Sequence, residues 1–426
     1  MATKKRNSIN IYFRSLCVAF LLMFSTAVLQ GQSNLKNLSE ESKISLLISS
    51  PESSSMFSIF GHCTLRICDP VLGFDFVFNY CELDHRPFYS TWKLTKGALE
   101  SKLWVSDFTN YVEAMINEGR SMDEHVLNLS DEEKQTLLEI ATDCARSRKD
   151  DYFFDPFKKN CTTFLYDMIK KSLNGEIVYS AETLSNNRSF REITNDYAKD
   201  FLWFIIGTNI VLGAPLEKPC TTEEALYIPN ELIKALLSAK IKETGGDYKP
   251  VISSSELILE RSKPEIINKS IFTPFTCSII LLLIIIALTI TGRLKKINFH
   301  WIDYILYGFW GIFGVYLLLS FTMSARWDSF PNWNFVWIHP LHFLGFISVS
   351  KRFGKVGYYY HILNSALQCF MIIGVFFIPQ VYNSAFIPLM LCLFVRSADY
   401  IVRYREIEEN NKKQVKKKKG KQKKGR

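Results

Sequence analysis

The stretch from Lys158 to Ile169 reads KKNCTTFLYDMI, and it predicts how the first half of the chain is built. Apolar residues at positions 164, 165, 168, 169 and 173 have the spacing of one buried helix face. Asn160 stands at the N-cap position, where its side chain can accept backbone N–H groups of the first turn. Cys161 would then begin the helix, at the positive end of its dipole, where a thiolate is favoured over a thiol. The stretch therefore predicts a helix that presents a nucleophilic cysteine.

A second stretch supplies a base for this cysteine. Residues 58–67 (SIFGHCTLRI) and 75–80 (DFVFNY) predict a β-hairpin that turns at residues 69–73 (DPVLG). His62 is the candidate general base. Asn79 lies about opposite His62 if the turn is centred near Val71, so its amide could orient the imidazole, and Asp75 is the second choice. A cysteine, a histidine and a polar orienter form the thiol version of a catalytic triad.

The oxyanion of such a reaction would be met by the backbone N–H of Cys161 and a donor from Ser58, with Asn160 as a further candidate orienter or donor. Each residue also has an ordinary structural interpretation. A cysteine is often a small buried apolar residue, and a strand asparagine often binds a neighbouring loop. No C-x-x-C pair occurs, which argues against a zinc site, and no cofactor is expected.

The order of these residues, histidine first and cysteine later, resembles the circularly permuted papain-like proteins, which include the lecithin:retinol acyltransferase-like and NlpC-like groups. More closely, several motifs over about residues 40–240 look like the Lnb N-terminal periplasmic domain family. They are Phe60-Gly61-His62, Phe76-Val77-Phe78-Asn79-Tyr80, Asn160-Cys161, Ser189-Phe190-Arg191, Leu212-Gly213-Ala214-Pro215 and Tyr227-Ile228-Pro229. The resemblance implies an exported α+β domain with a papain-like core.

The first 270 residues predict a leader and an exported domain. Residues 1–31 combine a basic start with a short apolar core and small residues, as a signal peptide does, and the alternative is an uncleaved anchor. Residues 33–270 predict a mixed α/β pattern, which begins with a strand at 43–49. An apolar helix near 203–212 is too short to span a bilayer, so it packs on the domain or on the membrane surface.

Residues 271–402 predict an all-α bundle of about five transmembrane helices, at about 272–291, 303–323, 335–350, 357–379 and 383–402. With the first domain outside, the segments 293–296 and 351–355 fall inside and are basic, as the positive-inside rule requires. The loop at 324–334 falls outside, either at the interface or under the soluble domain. The chain is therefore expected in the inner (cytoplasmic) membrane, with a periplasmic N-terminal domain and a cytoplasmic tail at 403–426.

The net charge of +9 is concentrated in that tail, because residues 412–426 hold ten Lys or Arg and no acid. The remainder is near neutral, which argues against nucleic-acid binding and favours contact of the tail with anionic lipid. Within the bundle, His339, His342, His361 and Asp399 are candidates for a metal or proton-relay role. The alternatives are that the histidines reach interfacial water and that Asp399 pairs with Arg396, one helical turn away.

These features lead to one expected function and one alternative. The first is a membrane-anchored periplasmic cysteine hydrolase or acyltransferase, which acts on an amide or ester carbonyl of a cell-envelope peptide or lipid. The alternative is a non-enzymatic binding or assembly module for the cell envelope, built on a papain-like shell. Membrane lipids are expected partners in both cases, whereas the oligomeric state does not follow from the sequence.

Overall fold

The computed structural model describes residues 37–52, 57–83, 86–147, 152–184, 187–262, 271–350 and 354–424. The expected signal peptide at residues 1–31 lies outside these described residues. The described part consists of an N-terminal α+β sheet domain followed by a helical region. The two classes of structure were both predicted, in this order.

A seven-stranded sheet, counted over the described residues, forms the centre of the first domain, in the order β10-β5-β1-β2-β3-β4-β6. Its paired neighbours are antiparallel, and the central strands carry buried side chains on both faces. The strands are β1 (Lys43–Ser49), β2 (His62–Asp69), β3 (Phe74–Glu82), β4 (Glu100–Asp107), β5 (Met122–Leu127), β6 (Tyr152–Phe153) and β10 (Ile252–Leu259). A smaller sheet joins β7 (Glu176–Val178), β8 (Lys240–Lys242) and β9 (Tyr248–Pro250).

Eight α-helices surround these sheets within the described residues. They are α1 (Pro87–Thr95), α2 (Phe108–Glu118), α3 (Asp131–Ser147), α4 (Cys161–Ser172), α5 (Ala181–Leu184), α6 (Phe190–Tyr197), α7 (Leu202–Val211) and α8 (Pro229–Ser238). The strand at 43–49, the hairpin and the helix that begins at Cys161 agree with the sequence predictions.

Layers of helices cover the two faces of the sheet. On one face, Leu65 and Phe78 of the hairpin pack in the same buried cluster as Leu165 and Ile169 of α4. On the other face, a second cluster joins Val77 of β3 to side chains of α2. Successive side chains of a strand point to opposite faces, so Phe78 and Val77 are both buried, but in different layers. This arrangement brings the start of α4 to the beginning of β2, where His62 lies.

The helical region comprises α9 (Pro274–Lys295), α10 (His300–Met323), α11 (His342–Ser348), α12 (Gly354–Gly374) and α13 (Phe386–Lys424). Among the described residues, α9 and α10 are long and apolar enough to cross a membrane by length and composition. The third predicted span was wrong as a continuous helix. A 3₁₀ helix at Trp333–Val336 and the seven-residue α11 replace it, with Pro340 between them. Helix α13 continues from the fifth predicted span into the basic tail.

The loop at 324–334 lies under the first domain, which was one of the two predicted locations. The side chain of Asn332 donates to the backbone oxygens of Ile210 and Val211 at the end of α7, at 2.9 and 3.0 Å. The backbone N–H of Gly213 donates in return to the carbonyl oxygen of Asp328 at 2.8 Å. Buried backbone groups at the end of α7 are therefore satisfied by the loop, which joins the two regions.

Candidate active site

The start of α4 is held by the side chain of Asn160. Its Oδ1 accepts the backbone N–H groups of Thr162 and Thr163 at 2.9 and 3.0 Å, and its backbone N–H donates to Oγ1 of Thr163 at 2.9 Å. This is a complete capping box. Cys161 is thereby fixed as the first residue of the helix and lies partly exposed at its positive end.

The amide nitrogen of Asn160 is fully occupied, which corrects one sequence-based assignment. Nδ2 donates both of its hydrogens, to the carbonyl oxygens of Pro156 and Tyr227, each at 2.8 Å. No hydrogen remains for an oxyanion or for orienting His62. The side chain of Asn160 is therefore used to position Cys161.

His62 begins β2, and its Nε2 lies 2.6 Å from Oδ1 of Asn79 on β3. Because an amide oxygen only accepts, this contact makes Nε2 the donor and leaves Nδ1 as the basic nitrogen. The strand register pairs Leu65 with Phe78, so Asn79 lies opposite Thr64 and not opposite His62. His62 is two residues from Thr64 and lies on the same face of the sheet. The amide reaches the imidazole diagonally.

His62 also makes a hydrogen bond with the side chain of Cys161, so residues about a hundred positions apart in the chain meet here. Burial by itself lowers the pKa of His62. The charge of Cys161 and the hydrogen bonds to Cys161 and Asn79 outweigh burial, and the pKa of His62 is raised above 6.5. A raised imidazole pKa next to a thiol favours the imidazolium–thiolate pair, which is the reactive form of a cysteine nucleophile.

Arg120 is a neighbour of this site that the sequence analysis missed. Its Nε donates to the backbone oxygen of Ser50 at 2.7 Å, and a second nitrogen donates to that of Ser49 at 3.3 Å. Glu118 pairs with it at 3.1 Å. The positive charge opposes the rise in the pKa of His62. No sequence motif marks Arg120, because only the pairing of β1 with β2 brings Ser49 opposite His62.

Asp75, the second choice for orienting His62, is placed elsewhere. It lies opposite Cys68 near the hairpin turn, and its carboxylate accepts two hydrogen bonds from Arg66 at 2.8 and 2.6 Å. Arg66 in turn pairs with Glu124 at 3.0 Å. The structure thus brings Asn79 to His62. Asp75 instead forms a bidentate ion pair with Arg66, away from the thiol of Cys161.

Ser58 lies in the turn before β2, where its backbone oxygen accepts the N–H of Gly61 at 3.1 Å. Gly61 has a φ of +81°, and a Cβ at this position would lie 2.7 Å from the backbone oxygen of Ser49. Only glycine fits both the backbone conformation and this close approach. The turn therefore sets the direction in which His62 enters the sheet.

The same turn connects the site to the helical region through α7. Ile59 and Phe60 pack in one cluster with Ile205 and Phe204 of α7, and the rings of Phe60 and Phe204 are 5.8 Å apart. Ile210, near the end of α7, belongs to the buried core of the helical region. Two residues before His62, the chain therefore contacts a helix that packs on the bundle.

The bundle residues singled out in the sequence are mostly paired. Asp399 lies 3.5 Å from Arg396, as predicted, and it also pairs with Arg293 at 2.5 Å and with Arg403 at 2.8 Å. His342 and His361 have hydrogen-bond partners on both ring nitrogens. In the part of the chain that the structure describes, no group of three His, Cys, Asp or Glu residues is placed to hold a metal ion.

Comparison with known proteins assigns both regions. Residues 32–194 match the Lnb N-terminal periplasmic domain, and residues 266–407 match the Lnb transmembrane domain. The chain belongs to the Lnb family. The two matches together cover more than two-thirds of the chain, and they confirm the resemblance drawn from the motifs. No curated protein and no solved structure matches.

Membership of the Lnb family makes this a membrane protein with a periplasmic N-terminal part. His62, Asn79 and Cys161 all lie within the segment that matches the Lnb periplasmic domain. The loop contacts described above join the end of α7, which follows the segment matched to the periplasmic domain, to the segment matched to the transmembrane domain.

Proposed function

We propose that this Lnb protein is a membrane-anchored periplasmic thiol acyltransferase or hydrolase that acts on an ester or amide carbonyl of a cell-envelope lipid or lipid-linked peptide. The observation that carries the proposal is the contact of Cys161, at a capped helix start, with His62, whose other nitrogen is held by Asn79 at 2.6 Å. This is the nucleophile, base and orienter of a cysteine enzyme. We interpret the surrounding α+β domain as papain-like in this sense.

The steps of the proposed reaction follow from the tautomer of His62 that Asn79 imposes, in which Nδ1 is the basic nitrogen. Nδ1 of His62 takes the thiol proton of Cys161, and the sulfur attacks the carbonyl carbon. The proton then passes from His62 to the leaving alcohol or amine, and an acyl-thioester remains on Cys161. Water or an amine acceptor, deprotonated by His62, attacks the thioester and restores the thiol. The backbone N–H of Cys161 and the helix dipole stabilise the oxyanion.

A lipid carbonyl is favoured over that of a soluble cell-wall peptide by the position of the site. Phe60 packs on α7, whose exposed Trp203 donates from Nε1 to the backbone oxygen of Phe272 at 3.2 Å. Phe272 lies two residues before α9, one of the two helices among the described residues that are long and apolar enough to cross the membrane. The turn that carries His62 is therefore close to the membrane surface, where lipid esters reside.

The topology we propose keeps the five crossings. Helices α9, α10, α12 and α13 each cross once, and the segment 333–348 crosses as two short helices packed inside the bundle. Such a broken crossing is tolerated where it is buried in protein. Trp337 and His342, both fully buried, lie in this segment. The basic end of α13 then lies in the cytoplasm, in line with the positive-inside rule.

The test is to trap the acyl-thioester. The full chain is reconstituted in nanodiscs with a phospholipid that carries an isotope-labelled acyl chain, and the peptide containing Cys161 is analysed by mass spectrometry. We expect a labelled, hydroxylamine-sensitive acyl group on Cys161, which is lost in Cys161→Ser and retained in the matched control Cys68→Ser. Equal labelling and turnover in the folded Cys161→Ser protein would refute the mechanism.

The alternative, a non-enzymatic assembly module, makes a different prediction for the same thiol. A shell without catalytic function leaves the pKa of Cys161 near the free value of about 8.5. The rate of alkylation of Cys161 as a function of pH measures this. An ordinary pKa together with the absence of an acyl-thioester would favour the assembly module.

A further inference from the structure

Helix α1 (Pro87–Thr95) exposes an unusual amount of aromatic surface. Phe88 is 94% exposed, Tyr89 42% and Trp92 38%. Positions 88, 89 and 92 lie on one side of a helix, because residues four apart are one turn above each other. A cluster of three exposed aromatic side chains indicates a surface that meets a partner other than water.

Contacts at the end of α1 place this surface beside the transmembrane domain. Oγ1 of Thr95 lies 2.8 Å from the hydroxyl of Tyr316 on α10. The backbone N–H of Ala325 donates to the carbonyl oxygen of Lys96 at 3.4 Å. Tyr316 is seven residues before the end of α10 at Met323, which corresponds to about 10 Å along the helix axis. The end of α1 is therefore level with the outer part of a membrane-crossing helix.

Basic groups accompany the aromatic rings. The guanidinium of Arg86 lies 4.3 Å from the ring centre of Tyr89, the ammonium of Lys93 lies 5.5 Å from the same ring, and that of Lys96 lies 4.8 Å from the ring of Trp92. Aromatic rings with adjoining Lys and Arg are typical of helices that lie in the membrane interface. The rings enter the acyl region, and the cationic ends reach the phosphate level.

The other side of α1 packs towards the candidate active site. Leu94 lies in a cluster with Leu83, which follows β3, and with Phe57, which precedes His62 in the turn. The ring of Phe57 also contacts that of Phe154, with the centres 5.7 Å apart. A change at the membrane face of α1 is therefore one layer of side chains away from the turn that carries His62.

We propose that α1 is an interfacial helix, which inserts Phe88, Tyr89 and Trp92 into the outer leaflet of the membrane and binds phospholipid headgroups through Arg86, Lys93 and Lys96. The insertion stands apart from the catalytic proposal. Its consequence for catalysis, that α1 borders the path by which lipid reaches Cys161, rests on the proposed function.

Photo-crosslinking tests the insertion directly. Phe88 is replaced by p-benzoylphenylalanine in the full chain, which is reconstituted in nanodiscs of phosphatidylethanolamine and phosphatidylglycerol, irradiated and analysed for lipid adducts by mass spectrometry. The matched control is the same replacement at Val71, which is 62% exposed in the hairpin turn at the opposite end of β2 from His62. We expect phospholipid adducts at position 88 at least ten times more often than at position 71. Equal yields at the two positions would overturn the insertion.

A second measurement separates this inference from the proposed function. The double variant Phe88→Ser, Trp92→Ser is expected to lower acylation of Cys161 from bilayer phospholipid at least fivefold, while alkylation of Cys161 by a water-soluble thiol reagent stays unchanged. Unchanged acylation in this variant would contradict the role of α1 at the lipid path. Lipid adducts at position 88 without any acylation of Cys161 would refute the proposed enzymatic function but would support the proposal that α1 is an interfacial helix.

Discussion

His62 in the periplasmic domain and His342 in the bundle are both hydrogen-bonded, but the partners differ in kind. His342 contacts the hydroxyl of Tyr360 at 2.7 Å and the backbone oxygen of Trp337 at 2.9 Å, and it is fully buried. His62 is held on one side only by an amide, and its other side meets the thiol of Cys161 where both residues are partly exposed. A histidine becomes a candidate base where one nitrogen is fixed and the other faces a proton donor that a substrate can reach.

His361 repeats the pattern of His342, since it contacts hydroxyl groups of Ser348 and Ser397 at 3.1 and 3.0 Å. His339 differs from both. Its ring stacks on that of His342, with the centres 4.2 Å apart, and neither of its nitrogens has a hydrogen-bond partner within the described residues. Its backbone packs on Gly314 of α10, where a Cβ would lie 2.2 Å away. The buried histidines thus contribute polar contacts and packing between helices.

The largest effect expected from this comparison is the loss of catalysis in His62→Ala. Without a base the thiol of Cys161 stays protonated, and turnover of a lipid ester should fall by about 10²–10⁴-fold. The matched control is His125→Ala, which removes a histidine of the same sheet whose Nδ1 lies 2.8 Å from the hydroxyl of Ser255. Equal losses in the two variants would abolish the distinction between a catalytic and a structural histidine.

The bundle histidines should affect stability and not chemistry. His361→Phe keeps an aromatic ring, slightly larger than imidazole, but removes the hydrogen bonds to Ser348 and Ser397, so the free energy of unfolding should fall by about 1–3 kcal/mol. Thermal unfolding in detergent measures this, and the alkylation rate of Cys161 in the folded fraction should stay the same. His300→Phe, at the exposed start of α10, should change stability by less than about 0.5 kcal/mol. A lower alkylation rate of Cys161 in His361→Phe would contradict this prediction, because it would show that a bundle histidine affects the reactivity of the candidate active site.

The smallest expected effect is a shift in the pH dependence of turnover in the variant Asn79→Ala. The amide raises the pKa of His62, so its removal lowers that pKa. A raised pKa keeps the imidazole of His62 protonated to higher pH, so the imidazolium–thiolate pair is lost on the alkaline side only as the pH rises through the folded pKa of His62. The alkaline limb of turnover should therefore move to lower pH in Asn79→Ala. Asn79→Asp should move the alkaline limb to higher pH, because a carboxylate favours the imidazolium. If both variants moved the limb in the same direction, the assignment of Asn79 as the residue that orients His62 would be contradicted.

Local patterns predicted the elements of the site well. The cap at Asn160 and the apolar spacing after Cys161 are determined within one helix, and the hairpin follows from alternation around a turn. The alternation of apolar and polar residues did not indicate β10, which is the strand at one end of the sheet. Its residues Ser253, Ser254 and Ser255 are all exposed and show no alternation. The sequence pattern also failed at 335–350, where length and apolar character predicted one helix although Pro340 interrupts it.

By itself, the sequence determined the order of the two regions, the helix that Cys161 begins and the hairpin that carries His62, because each depends on residues that are neighbours in the chain. Tertiary structure alone decided that these residues meet, that Asn79 and not Asp75 holds the imidazole, and that Asn160 has no hydrogen to give. It also placed Arg120 beside the site and α1 beside α10. Such contacts depend on strand register and on packing between distant segments, where a shift of one residue turns a side chain to the other face.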